Sequence, residues 1–277
     1  MGFRIATNTA SLSAQKSLSK ITSQEKEIST KLATGSRINK SADDAAGLAI
    51  SEKLKANIKS QQQANRNTND GISMIQVAEG GLSETSNILV RLRELAIQSA
   101  SDTVGDTERS FTDKEYQQLK QEVQRISETT SFNGNSLLDG SSDKFEFQVG
   151  TDADEFKSRI SYNASEIQAG LGALGIEGES VSTKEGAQDS LEKLDNAITS
   201  LSGHRSTLGA LQNRLQSTSA NLETSIENQS AANSRIRDVD YAQATAERAS
   251  NQVLKSAATS VLGQANANGQ AALRLIG

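Results

Sequence analysis

No proline occurs anywhere in these 277 residues, and no other feature constrains the fold as strongly. Proline lacks the backbone N–H and breaks helix interiors at about 3 kcal/mol or more. Without it, nothing stops a helix except a chosen turn. The apolar residues use that freedom at helical spacing. Ile5, Leu12, Leu18, Ile21, Ile28 and Leu32 are separated by 7, 6, 3, 7 and 4, all combinations of threes and fours. Ile72, Ile75, Leu82, Leu89, Leu92 and Ala96 step by 3, 7, 7, 3 and 4, the period of a coiled-coil seam. A helix over about 45–100 is predicted, roughly 80 Å long at ~1.5 Å per residue. Gly71, Gly80 and Gly81 inside it each weaken a helix by up to ~1 kcal/mol and allow a local bend.

Punctuation agrees with this reading. Gly35 suits the left-handed closure of a first helix. Ser41, with Asp44 three residues on, is an N-cap signal for the second. A third helix carries Tyr116, Leu119, Val123 and Ile126, and Phe132-Asn-Gly134 ends it. The period then falls to two. Phe145, Phe147 and Val149 alternate, as do Phe156, Ser158, Ile160 and Tyr162, around a turn at 150–154. This predicts a β-hairpin near 145–162. Five of the nine aromatics lie between Phe132 and Tyr162, so ring packing should anchor the body there. After an irregular connection over 163–184, Ala187, Leu191, Leu194, Ile198 and Leu201 open a second long seam, continued by Leu208, Leu211, Leu215, Leu222 and Ile226. Ala242, Ala246, Ala249, Val253 and Ala257 form a last, smaller-sided helix. The order is palindromic. The fold expected is mainly α: long antiparallel coiled-coil-like helices forming a helical rod, a small β-hairpin at the fold-back, and paired terminal helices. Two domains are expected, 1–43 with 236–277 as the terminal helix pair and 44–235 as the rod.

Composition narrows the function. With no cysteine, disulfides and thiolate metal sites are excluded. No segment approaches the ~20 apolar residues of a membrane span, and the first residues hold no apolar run of signal-peptide length. Residues 1–43 carry seven Lys/Arg against three Asp/Glu, and 236–277 four against three, leaving −10 on 44–235 of a total of −5. A nucleic-acid binder shows a basic stripe; this acidic middle reads as a solvated outer surface.

Motifs of enzyme chemistry do not stand up. Gly170-Leu-Gly-Ala-Leu-Gly175 with Asp195 matches the dinucleotide fingerprint but lacks the strand before and helix after that it needs, and reads as a flexible turn. Ser13-Ala-Gln-Lys16 and Ser17-Leu-Ser-Lys20 match a serine–lysine pattern that a Ser- and Lys-rich helix produces by composition. Asp152-Ala-Asp154 starts like a calcium loop without the required glycine and closing glutamate. His204 is the only histidine. No catalytic, metal or cofactor site is assigned.

Leu32 to Gly81 is the stretch that the rest is arranged around. Arg37-Ile-Asn-Lys-Ser-Ala-Asp-Asp-Ala-Ala-Gly-Leu-Ala-Ile-Ser51, Asn65-Arg-Asn-Thr-Asn-Asp-Gly-Ile-Ser73, Arg91-Leu-Arg-Glu-Leu-Ala-Ile-Gln98, Phe132-Asn-Gly134, Leu208-Gly-Ala-Leu-Gln-Asn-Arg214, Ser234-Arg-Ile-Arg-Asp-Val-Asp-Tyr241 and Val261-Leu-Gly-Gln-Ala-Asn266 resemble bacterial flagellin, in family order over nearly the whole sequence. The resemblance implies a structural, non-enzymatic subunit that polymerises into the flagellar filament for swimming, here without the family's large outer domains. It implies an extracellular location reached through the flagellar export apparatus without a cleaved signal. It also implies partners: further copies and sister flagellins, an export chaperone, and the filament cap and hook-junction proteins. Assembly is then assigned to the terminal stripes, Ile5, Leu12, Leu18, Ile21, Ile28 and Leu32 with Val253, Leu254, Val261 and Leu262. Arg91, Leu95 and Glu115 match flagellin positions contacted by an innate toll-like receptor. The alternatives are a secreted, non-polymerising coiled-coil binding module and, since the hook-junction proteins share the terminal pattern, a hook-junction-like protein, which the Asn65–Ser73 and Arg91–Gln98 blocks disfavour.

Overall fold

The computed structural model describes residues 7–142 and 144–274, with side chains through residue 267. Ile5 lies outside the described residues. Among the described residues, six α-helices and two small hairpins follow in order: α1 (Thr9–Thr34), α2 (Ala45–Ala100), α3 (Asp106–Thr129), β1 (Ser131–Phe132), β2 (Asn135–Ser136), β3 (Lys144–Gln148), α4 (Glu155–Ser158), β4 (Arg159–Asn163), α5 (Lys184–Arg237) and α6 (Tyr241–Arg274), with a 3-10 turn at Ala164–Glu166. The protein divides into two compact units, Met1–Ala56 with Asn228–Gly277, and Asn57–Glu227.

The first unit is the pairing of α1 with α6. Asn8 caps α1 by accepting from the Ser11 amide and also donates to the Ala265 carbonyl at 3.0 Å. Further along, Lys255 meets Glu25 at 2.7 Å and the Tyr241 hydroxyl donates to the Leu32 carbonyl at 3.1 Å. These partners fix the two helices antiparallel. Gly35 closes α1 at φ 69°, in the left-handed region. The following turn is tied to the end of α5: the Arg37 amide donates to the Arg237 carbonyl, its guanidinium to the Ile236 carbonyl at 2.7 Å, and the Val239 amide to the Gly35 carbonyl. Ser41 is not the cap of α2. Asp43 accepts from the Asn39 and Lys40 amides, and Asp44 accepts from the Gly47 amide at 2.8 Å. The two acids divide the work, one closing the turn and the other capping the helix.

The second unit holds the core. Ile75, Leu82, Leu89, Leu92 and Ala96 of α2 are buried, with Tyr116, Val123 and Ile126 of α3 and Leu194, Leu201, Leu208 and Leu215 of α5. Arg93–Asp195 at 2.6 Å, Asn65–Ser219 at 2.7 Å and Gln61–Ser225 at 3.0 Å set α2 and α5 antiparallel. The helix α2 passes Gly71, Gly80 and Gly81 without interruption, and two of these serve close packing. A Cβ on Gly71 would lie 3.0 Å from the Phe147 ring, and one on Gly81 2.8 Å from Leu138 and Thr130.

The strands β3 and β4 pair antiparallel, Phe145 opposite Tyr162 and Phe147 opposite Ile160. The Phe145 and Tyr162 rings stack at 5.9 Å, and the Tyr162 hydroxyl donates to the Leu137 carbonyl. The second strand starts later than its alternation suggested. Asp154 accepts from the Phe156 and Lys157 amides and caps the one-turn helix α4, so Phe156 is turned out to solvent, 89% exposed. A first hairpin, β1–β2, follows α3 directly.

The connection 168–183 is not a flexible turn, as one polar face of α3 grips its backbone. Asp113 accepts from the Val181 amide and Gln124 from the Leu171 amide. Gln117 donates to the Glu179 carbonyl, and Lys120 donates to the carbonyls of Glu177 and Glu179 at 2.6 and 2.8 Å. Leu174, Ile176 and Val181 fill the core beneath.

Candidate assembly surface

In the first unit, hydrogen bonds set the register and very little apolar surface is covered. Its buried hydrophobics among the described residues are Ala14, Ile28, Ile38, Ala244 and Ala265; the rest of the core belongs to the second unit. Of the described residues of the terminal stripe, only Ile28 is buried. Leu18, Ile21 and Leu32 on α1 and Leu262 on α6 are half-buried against the partner helix. Leu12 is 57% exposed, Val253 70%, Leu254 50% and Val261 59%. The pair buries Ser11, Ala14, Ile28, Ala244 and Ala265 and leaves Leu12 of α1 and Val253, Leu254 and Val261 of α6 at solvent. An exposed apolar band of this kind marks an interaction surface.

The three residues at the second proposed site do not form one patch. Arg91 and Glu115 meet across α2 and α3, with the Arg91 Nη2 2.9 Å from the Glu115 carboxylate and both side chains half exposed. Leu95 is 2% exposed and belongs to the core. It shares the Arg91 side of α2 by spacing, but the helix turns that position inward under α3. Leu95 therefore offers no exposed apolar surface beside Arg91 in this structure. The Glu115 hydrogen bond, then that of Glu94, raises the Arg91 pKa above its ordinary value.

Elsewhere, Asp195 is engaged by Arg93, whose hydrogen bond holds its carboxyl below the usual range. His204 is half-buried on α5, and burial pushes its imidazole down. Burial also raises the Tyr116 phenol to about 12 and lowers Lys120. The gripping face of α3 escaped the sequence reading. Its signal was present: Asp113, Gln117, Lys120 and Gln124 step by 4, 3 and 4 beside the apolar stripe. No helix among the described residues is long and apolar enough to cross a membrane.

Comparison with known proteins bears on the same geometry. The model of the bacterial flagellin N-terminal helical region matches residues 5–143, and that of the C-terminal helical region matches 191–276. The flagellin of Halalkalibacterium halodurans is 40% identical, over 97% of this chain and 98% of the relative. The flagellar filament core protein flaB2 of Brachyspira hyodysenteriae is 39% identical, over 98% and 99%. The crystal structure of Bacillus cereus flagellin is 33% identical, with a TM-score of 0.51 over 57% of this chain and 88% of that one. The chain is a member of the bacterial flagellin family.

Proposed function

We propose that this protein is the structural subunit of a flagellar filament, built by polymerisation of many copies through the terminal helix pair. The observation that carries this reading is the pairing of α1 with α6, which leaves Leu12, Val253, Leu254 and Val261 at solvent. A helix pair with these apolar side chains uncovered, three of them on α6, gains from neighbours. A head-to-tail contact that does not close on itself gives a helical polymer. Relatives named flagellin and flagellar filament core protein support the same role. The domain division that goes with it assigns 1–43 with 236–277 to the filament core and 44–235 to a helical rod with its hairpin. The reading is not catalytic. The subunit acts outside the cell, exported without a cleaved signal, with a chaperone covering the exposed α6 band beforehand and cap and hook-junction proteins at the filament ends.

The test is polymerisation. Purified protein seeded at high salt should pellet as fibres, and a micrograph of cells with and without this gene should show filaments only with it. Soluble protein under all seeding conditions leaves the secreted binding module as the better reading. A second partner, an innate receptor, rests on the half-exposed Arg91–Glu115 pair alone, since an arginine and an acid on one surface suit a partner's polar hot spot.

A further inference from the structure

The turn joining β1 to β2 is as short as a hairpin allows. Phe132 pairs with Asn135, so Asn133 and Gly134 alone cross it. Both hold positive φ, 50° and 83°, and Asn133 is the only non-glycine residue to do so among the described residues. Asn-Gly is the favoured dipeptide of the two-residue turn with both φ positive. Both residues are exposed. Among the described residues, no hydrogen bond holds the Asn133 side-chain amide, and the Gly134 amide at the centre of the turn has no partner. A Cβ placed on Gly134 would meet nothing within 4 Å, so the space above the turn is open to water.

We propose that Asn133 is a site of slow, uncatalysed deamidation that yields aspartate and isoaspartate in the β1–β2 turn. Hydroxide removes the Gly134 amide proton and the nitrogen attacks Cγ of Asn133. The new bond from nitrogen to Cγ closes a five-membered imide. The bond from Cγ to Nδ2 breaks, and Nδ2 leaves, protonated, as ammonia. Water then adds to one of the two imide carbonyls. Opening on one side gives aspartate. Opening on the other gives isoaspartate, in which the backbone runs through Cβ and Cγ. One water is consumed, one ammonia is released, and nothing is oxidised or reduced. Glycine is the residue that allows this, because no side chain shields the attacking nitrogen.

The protein holds its own comparison. Asn268-Gly269 repeats the dipeptide inside α6. There the backbone is helical, so the glycine N–H is engaged in the helix ladder rather than left open as in the turn. The product matters at residue 133 because the turn has no slack. Isoaspartate adds a methylene to the backbone, and the pairs Ser131–Ser136 and Phe132–Asn135 then cannot both keep their register. Each converted subunit gains one negative charge and a loosened closure at the end of α3.

Full-length protein is incubated at physiological temperature in neutral and mildly alkaline buffers, with a parallel sample in guanidinium chloride. Tryptic peptide 126–144 is followed by mass spectrometry for the amide-to-acid mass change, and isoaspartate is labelled with an isoaspartyl carboxyl methyltransferase. The expected result is first-order conversion at Asn133 in the folded protein, accelerating with hydroxide, and faster than at Asn268 by on the order of tenfold. The Gly134→Ala variant should slow it. An intact Asn133 in the folded protein, while the denatured sample converts, means that the turn holds the nitrogen out of reach and overturns the proposal. Conversion at Asn268 ahead of Asn133 overturns it equally.

Discussion

Arg91 on α2 and Glu115 on α3 meet through a single carboxylate oxygen, with Nε at 3.2 Å and Nη2 at 2.9 Å from Glu115 Oε1. One turn further along α2, Leu95 is sealed in the core. The two α2 residues therefore answer different questions. Arg91→Ala should leave thermal stability nearly unchanged and reduce the response of receptor-bearing cells to monomer. Leu95→Ala should destabilise the second unit by about 2–5 kcal/mol, as large-to-small core changes do. Denaturant unfolding of both variants separates the two effects. Full receptor response from the Arg91 variant removes the receptor reading.

Leu254 is half exposed on α6 and Leu262 is half-buried against α1, and both belong to the stripe assigned to assembly. Aspartate at either position would bury an unpaired carboxylate on polymerisation, at a cost of several kcal/mol. Neither change touches the second unit. Sedimentation should show loss of fibres while the main melting transition stays in place. Normal filaments from either variant would contradict the placement.

The α2 glycines separate by environment. Gly80→Ala meets nothing within 4 Å and should stabilise the helix by up to ~1 kcal/mol. Gly71→Ala drives a methyl into the Phe147 ring and should cost about 1–3 kcal/mol through overpacking. Opposite signs in thermal melts are expected. Equal signs would mean that Phe147 can give way.

Acid should weaken the second unit. Burial opposes ionisation of Glu179, but hydrogen bonds from Lys193 and Ser190 leave its pKa below the ordinary 4.5. The hydrogen bond from Arg93 sets Asp195 below 3.8. A carboxyl with a depressed folded pKa contributes stability above its unfolded value, and that stability is lost as pH falls through the folded one. Melting temperature should therefore fall steadily below those ordinary values. The Lys193→Met variant should show a shallower fall. Identical pH profiles would remove Glu179 from the account.

Much of this architecture was readable because helical periodicity and an absent proline leave few choices. The bounds of α2, Ala45 and Ala100, follow from the seam and from where Gly and Ser cluster. The hairpin was visible in its alternating rings. Phe156 was misplaced because alternation cannot see a capping aspartate; the Asp154 carboxylate takes the amides that would otherwise join the strand. Leu95 was misjudged because a spacing of four places two residues on one side of a helix without saying which neighbour covers them. At the terminal stripes, spacing found the residues but not their exposure, which depends on how closely α1 and α6 approach.

What α3 holds in the segment 168–183 is largely peptide groups: Lys120, Gln117 and Gln124 meet backbone carbonyls or amides. A clamp of that kind does not read letters. Ala169, Leu174, Ile176 and Val181 face inward with Leu171 packed against them, Gly175 holds a positive φ, and Gln168, Glu179, Ser180 and Thr183 use their side chains in hydrogen bonds; the exposed positions between them carry no such hold. Outward positions such as Ala173 and Glu177 are thus free to drift, and a short foreign epitope written there would be displayed on a fixed backbone.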